Sequence, residues 1–238
     1  MKTFSNKDTI YIGRQVGDEI LREIKKAKDS VKIVSPYLSG SYVKELVTLH
    51  NQNKKITLIT ADNITENNKY SDFRSSNLII KKEVFMPRLD KVRRRGIALF
   101  LIFIAISFVA LLSSFIVEEL FYPALFFMGA SFVFMFYFFF MPVNKVEYRP
   151  LFRIKVFDSK SGKSAFSTEL IHSKIYVIDD KIAFVGSANF TYSGFKTHYE
   201  TAVKIEDEKA VLDISREVEA LYDSKDLRAK DIEEWAGV

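Results

Sequence analysis

The sequence predicts an α/β domain interrupted by a two-helix transmembrane hairpin, and three observations predict it. Two uncharged runs of 22 residues, Gly96–Val117 and Leu120–Met141, are separated only by Glu118 and Glu119. Before them, short alternating strands and amphipathic helices succeed one another. After them, several β-branched strands lead to one closing helix.

As a helix, each uncharged run would reach about 33 Å, enough to cross a hydrocarbon core of roughly 30 Å. A helical pair buried in a soluble core would carry a polar stripe, and neither run has one. Arg88, Lys91, Arg93, Arg94 and Arg95 precede the first run, and Lys145 and Arg149 follow the second. By the positive-inside bias, both soluble parts and both termini face the cytoplasm, with the chain in the cell membrane by two spans. The opening MKTFSNKDTI has no apolar stretch of the kind that marks a cleaved leader.

In the first flank, Thr9–Ile12 reads as a strand and Val16–Ala27 as a helix with Val16, Ile20, Leu21 and Ile24 on one face. Val31–Ser35 is a strand, Tyr42–His50 a helix and Lys55–Thr60 a strand. This order predicts parallel pairing through crossover helices. In the second flank, Phe152–Phe157, Lys174–Ile178, Lys181–Val185 and Glu200–Ile205 are strands, with Asp179-Asp180 as the turn of a hairpin, and Lys209–Tyr222 closes as a helix. The divisions are therefore 1–61, first part of the domain; 62–95, polar connector and basic juxtamembrane segment; 96–141, hairpin; and 142–238, second part.

Composition narrows the chemistry. There is no cysteine, which excludes a disulfide framework, a thiolate metal site and a cysteine nucleophile. The three histidines are too few for a histidine-rich metal centre, and the net charge of +5 suits anionic partners without choosing among them.

The informative stretch runs from His172-Ser173-Lys174 through Asp179 to Gly186-Ser187-Ala188-Asn189. On a strand, His172 and Lys174 point to one face. An imidazole beside an ammonium is able to attack a phosphate whose oxygens the ammonium holds. Ser187 and Asn189 are placed to donate to the same anion, and Glu200 to orient the imidazole from its other nitrogen. His198 begins a strand nearby with no assigned role, His50 reads as a surface or helix-terminal residue, and Trp235 stands alone in a charged tail.

This stretch strongly resembles the HKD motif of the phospholipase D superfamily: His, any residue, Lys, four residues, Asp, six residues, then Gly-Ser-x-Asn, matched without a gap. "NFTYSGF", the Glu of "HYETAV", and upstream DEILREIKKAKDS, VKIVSPY and KITLIT are similar to the family as well. The resemblance covers roughly 9–61 and 150–222 and leaves the hairpin as an insertion. It implies a phospholipase D-like mixed sheet flanked by helices and a covalent phosphohistidine at His172. Lys174, Ser187 and Asn189 would bind phosphate, Glu200 would hold His172, and Asp179 would support the turn. It implies no cofactor and no metal.

The chain has a single such motif, whereas the family's reaction uses two histidines. Single-motif relatives, among them bacterial endonucleases and the Zucchini protein, meet this by homodimerising, so a homodimer is expected here. The resemblance leaves three functions open: a metal-independent nuclease held at the bilayer; a phospholipase D or phosphatidyltransferase acting on membrane phospholipid; and a catalytically silent membrane scaffold.

Overall fold

The computed structural model describes residues 8–62, 74–158, 171–225 and 227–237. The opening heptapeptide and the polar start of the connector, 63–73, therefore lie outside the described residues. The chain forms two compact units, one of residues 1–80 with 148–238 and one of residues 81–147.

The first unit is built on a seven-stranded mixed sheet. Its strands are β1 (Thr9–Gly13), β2 (Ser30–Val34), β3 (Lys55–Ala61), β6 (Arg153–Phe157), β7 (Lys174–Ile178), β8 (Ile182–Gly186) and β9 (Glu200–Ile205), in the order β1-β9-β8-β7-β2-β3-β6. β2, β3 and β6 run parallel, and the other pairs are antiparallel. β2 and β3 are joined through α2 (Gly40–Asn51), as the spacing predicts. β1 departs from the expected pattern: it pairs antiparallel with β9 at the sheet edge. Ile10 and Ile12 both remain exposed, which suits an edge strand and not a central parallel one.

Helices cover the sheet because their apolar stripes match its faces. α1 (Gly17–Lys25) buries Ile20 and Ile24, and α2 buries Val43 and Leu46, against Val31, Ile33, Leu58 and Tyr176. On the other face, α5 (Glu208–Asp223) buries Val211 and Val218 against Val34, Ile59, Val177 and Ala183. Asp207 caps α5 by accepting from the Ala210 N–H at 2.9 Å. α6 (Ile232–Ala236) brings Trp235, 6% exposed, into the α1/α2 core, so this residue is a packing anchor.

The β7–β8 hairpin turns at Asp179 and Asp180, which have φ of 54° and 51°. Two left-handed residues make the turn whose twist matches a hairpin, and aspartate tolerates that conformation better than most side chains.

The second unit holds α3 (Pro87–Ser113) and α4 (Phe121–Phe139), both long and apolar enough to cross a membrane. Phe100 packs on Phe132 at 6.0 Å between ring centroids, and the Gly96 Cα lies so close to Phe138 that a Cβ there would overlap its ring. Most other side chains of both helices are exposed and apolar, as a lipid-facing surface requires.

The connector reading needs two corrections. β4 (Ile79–Phe85) pairs with β5 (Asn144–Pro150) in a two-stranded ribbon flanking the hairpin. The basic juxtamembrane segment is also helical: α3 starts at Pro87, nine residues before the apolar run. Proline suits a first helical turn, and Asp90 ties Arg93 and Arg94 at 2.9 and 2.7 Å along the same face.

Candidate active site

The register of the central strands assembles the site. Lys174 opens β7 opposite Gly186, the last residue of β8, and Gly186 lies opposite Ala202 of β9. The starts of β7 and β9 and the end of β8 therefore form one edge, next to the carboxyl end of parallel β2. Clefts beyond the carboxyl ends of parallel strands are where α/β sheets commonly bind ligands. Gly186 is required there, because a Cβ would collide with the Thr201 carbonyl oxygen.

Lys174 is 4% exposed, whereas His172 is exposed. The lysine Nζ lies 3.0 Å from His172 Nδ1 and 3.3 Å from Nε2, and it donates to the His172 carbonyl at 2.7 Å. An ammonium has no acceptor, so the ring nitrogen that engages it acts as the acceptor. Burial pulls the Lys174 pKa below its ordinary value, and the negative charge of Glu200 works against that fall. The pair thus keeps a cation where water is scarce, beside an imidazole open to solvent.

Ser187 follows Gly186. Its hydroxyl donates to Glu200 and accepts from the Thr201 N–H at 3.0 Å. Asn189 is half-buried, and its carboxamide oxygen is buried without a partner among the described residues. Burying a polar atom unpaired costs about 1–3 kcal/mol, a penalty that a bound group or a second chain would remove.

Glu200 lies at the same edge but not on His172. The described contacts of its carboxylate are Ser187 Oγ and, at 3.7 Å, His198 Nδ1. The expectation that it orients His172 is therefore not met within one chain. Asp179 sits at the far end of β7, where it accepts from the backbone N–H groups of Lys28, Asp29 and Ser30 at 2.8, 2.7 and 2.9 Å. His50 is also remote, packed against Phe152 with ring centroids 5.8 Å apart and the planes tilted by 57°.

A supporting layer lay beyond the sequence reading. Ser35, at the end of β2, accepts from the Phe190 N–H at 2.9 Å and donates to the Tyr37 carbonyl at 2.8 Å. Ser39 takes the Tyr192 N–H at 2.9 Å, and Tyr176 donates to the Ala188 carbonyl at 2.6 Å. These bonds staple the loop after β2 to the Ser187–Tyr192 loop. Tyr42, Phe190 and Phe195 pack beneath it with centroids 5.0–5.6 Å apart. The available signal was Ser-Pro directly after the apolar β2 strand, a polar break where a core strand would otherwise continue.

Residues 141–222 match the family model described as cardiolipin synthase, PLD-like domain. Two proteins named cardiolipin synthase 1, from Bacillus anthracis and Bacillus cereus, are each 37% identical to the chain over 62 residues, a quarter of its length. Those residues span 12% of the length of the curated relatives. Among solved structures, NucT from Helicobacter pylori superposes with a TM-score of 0.52 at 15% identity, covering 94% of this chain and 99% of that one. Nuc from Salmonella typhimurium, a phospholipase D family member, gives 0.46 at 12% identity over 94% and 99% of the respective chains. The matched segment, which holds the His172–Asn189 edge, is thus similar to the PLD-like domain of that family, and the mixed sheet shares its fold with NucT.

Proposed function

We propose that the chain is a membrane-anchored phosphodiesterase in which His172 is the nucleophile. The observation that carries this reading is the exposed His172 imidazole in contact with the buried Lys174 ammonium. The imidazole attacks phosphorus, the bond to the leaving oxygen breaks, and that oxygen takes a proton from a second acid. Water then attacks the phosphohistidine, giving its proton to the group that acted as the acid, the P–N bond breaks, and His172 leaves as the phosphomonoester is released. Lys174 neutralises the non-bridging oxygens throughout, with Asn189 and Ser187 as further hydrogen-bonding groups. The chain supplies one such motif, and in this reading a homodimer supplies the second His172 as the acid.

The favoured substrate is nucleic acid. The loops around the site carry Tyr37, Tyr192 and Tyr199, which are 39%, 59% and 76% exposed. Exposed rings beside a cationic centre suit stacking of unpaired bases. A second reading, cleavage or transfer of a phospholipid headgroup, is favoured by the cardiolipin synthase match and by two helices fit to hold the site near a bilayer. In this reading both termini are cytoplasmic and Glu118 and Glu119 lie outside, as the basic flanks of the two apolar runs favour.

One experiment separates the readings. Detergent-purified protein is incubated in EDTA with labelled single-stranded DNA, RNA, phosphatidylglycerol and cardiolipin in parallel. Cleavage of nucleic acid is expected and should persist in the chelator, since Lys174 already supplies charge compensation. Turnover of anionic phospholipid alone sinks the nuclease, and no turnover of any substrate returns the silent scaffold.

A further inference from the structure

The cations at the start of α3 are not spread evenly around the helix. Arg88, Lys91 and Arg95 recur at i, i+3 and i+7, so they share one stripe, and all three are exposed. Asp90 and its partners Arg93 and Arg94 are turned away from that stripe. Among the described residues, none of the three stripe cations has an ion-pair partner. Beyond Arg95 the stripe continues as Leu99, Ile102 and Ile106, which are 54%, 55% and 59% exposed. Gly96 and Phe100, which meet Phe138 and Phe132 of α4, lie on a different face. One exposed line along α3 is therefore cationic at its start and aliphatic below. From Arg95 to Ile106 the helix rises about 16 Å, close to one leaflet of a roughly 30 Å hydrocarbon core.

We infer that this stripe holds an anionic phospholipid as a bound ligand, with its phosphodiester headgroup on Arg88, Lys91 and Arg95 and an acyl chain along Leu99, Ile102 and Ile106. The inference rests on the membrane-anchored part of the reading above and is independent of the His172 chemistry. Charge complementarity selects the occupant. A second copy meeting the same stripe would set like charges against each other, and a nucleic acid would leave the aliphatic half without a partner. A topology signal depends on the number of basic residues beside a span and not on their alignment. A lipid, by contrast, needs cations and aliphatic contacts in one line, which is the arrangement α3 presents. Near a membrane surface each such cation is worth about a fivefold change in affinity for anionic lipid.

The chain's one tryptophan, Trp235, is buried, so a tryptophan placed on the stripe reports its own surroundings. Full-length Ile102→Trp is reconstituted in phosphatidylcholine bilayers containing brominated phosphatidylglycerol or brominated phosphatidylcholine, which quench indole fluorescence on contact. Phosphatidylglycerol should occupy the site with at least about fivefold preference. Adding Arg88→Gln/Lys91→Gln/Arg95→Gln should bring the two lipids level. These side chains are exposed, so the circular dichroism spectrum should not change. Val133→Trp, exposed on α4 beside Phe132, should show no preference. Equal quenching by the two lipids at Ile102→Trp overturns the inference. So does a preference that survives the triple substitution or appears equally at Val133→Trp. Release of the chain from membranes by alkaline carbonate overturns both the anchor and the lipid site. The catalytic reading fails separately: a preference retained in a chain that cleaves no phosphodiester leaves the lipid site standing, and cleavage without preference removes the lipid site alone.

Discussion

Lys174 Nζ lies 3.0 Å from Nδ1 of His172 and hydrogen-bonds the same histidine's carbonyl at 2.7 Å. The lysine therefore folds back over the histidine two residues earlier and fixes its backbone as well as its ring. In the proposed reaction this one cation both positions the nucleophile and meets the phosphate, so removing either residue is expected to damage the same step.

His172→Ala is expected to lower turnover by a factor of about a thousand or more, the usual loss when a covalent nucleophile is deleted. The exposed side chain contributes little packing, so circular dichroism and membrane extraction should match wild type. Labelled substrate quenched in alkali should leave phosphate on the wild-type chain and none on the variant. Near-wild-type turnover in the variant would place the nucleophile elsewhere.

Glu200→Gln tests the charge balance of the site. Burial already holds the Lys174 pKa below its ordinary value, and the Glu200 charge opposes that shift. Without the charge, burial acts alone, the pKa falls further, and the lysine loses its proton at lower pH. The descending alkaline limb of kcat/KM should accordingly move to lower pH while the fold is retained. An unmoved limb would mean that Lys174 protonation does not govern the rate.

The local signals were strong enough to read most of the fold. Alternation in KITLIT and the face of Ile20 and Ile24 depend on near neighbours, and both elements formed where expected. The Asp179-Asp180 turn followed from residue chemistry. What failed depended on distant partners. The pairing of β1 with β9 joins residues nearly two hundred positions apart, and the β4–β5 ribbon joins two polar segments across the hairpin. Neither ribbon strand carries the apolar alternation that announces a strand packed on a core. At the site, the motif gave the His172, Lys174 and Ser187 neighbourhood, but Ser35, Ser39 and Tyr176 act through backbone groups that no side-chain pattern reveals.

Asp179 illustrates how a motif residue serves the fold. Burial pushes its pKa up, but the backbone N–H groups of Lys28, Ser30 and Asp29, with Lys181, outweigh that and hold it below the ordinary value. A carboxyl depressed in the folded state stabilises above its unfolded pKa, about 4, and that stability is lost as pH falls through the folded pKa. Asp179→Asn should destabilise by about 1 kcal/mol at pH 7, because charge-assisted bonds become neutral ones. The deficit should shrink in acid, and kcat should stay near wild type because the residue sits at the far end of β7. Denaturant melts at pH 7 and pH 3.5 would check this. A collapse of kcat in a fully folded variant would assign Asp179 to the chemistry instead.

The last prediction concerns the sidedness of the hairpin. α3 begins with Arg88, Lys91, Arg93, Arg94 and Arg95 on two turns of helix continuous with the apolar run. Because the segment is helical, these charges sit on turns continuous with the apolar run and not on a loose loop. Asp90 neutralises part of it through Arg93 and Arg94, leaving Arg88, Lys91 and Arg95 on the same turns. The opposite end carries only Glu118 and Glu119, both exposed, in a single turn before α4. Moving the basic end across an energised membrane opposes the positive-inside bias, whereas two carboxylates weigh little in that rule. Cysteines introduced singly as Glu118→Cys and Lys230→Cys should thus label oppositely with an impermeant maleimide on intact cells. Position 118 should react at once, and position 230 only after permeabilisation. Reaction of position 230 from outside would invert the topology and put the His172 site on the far side of the membrane.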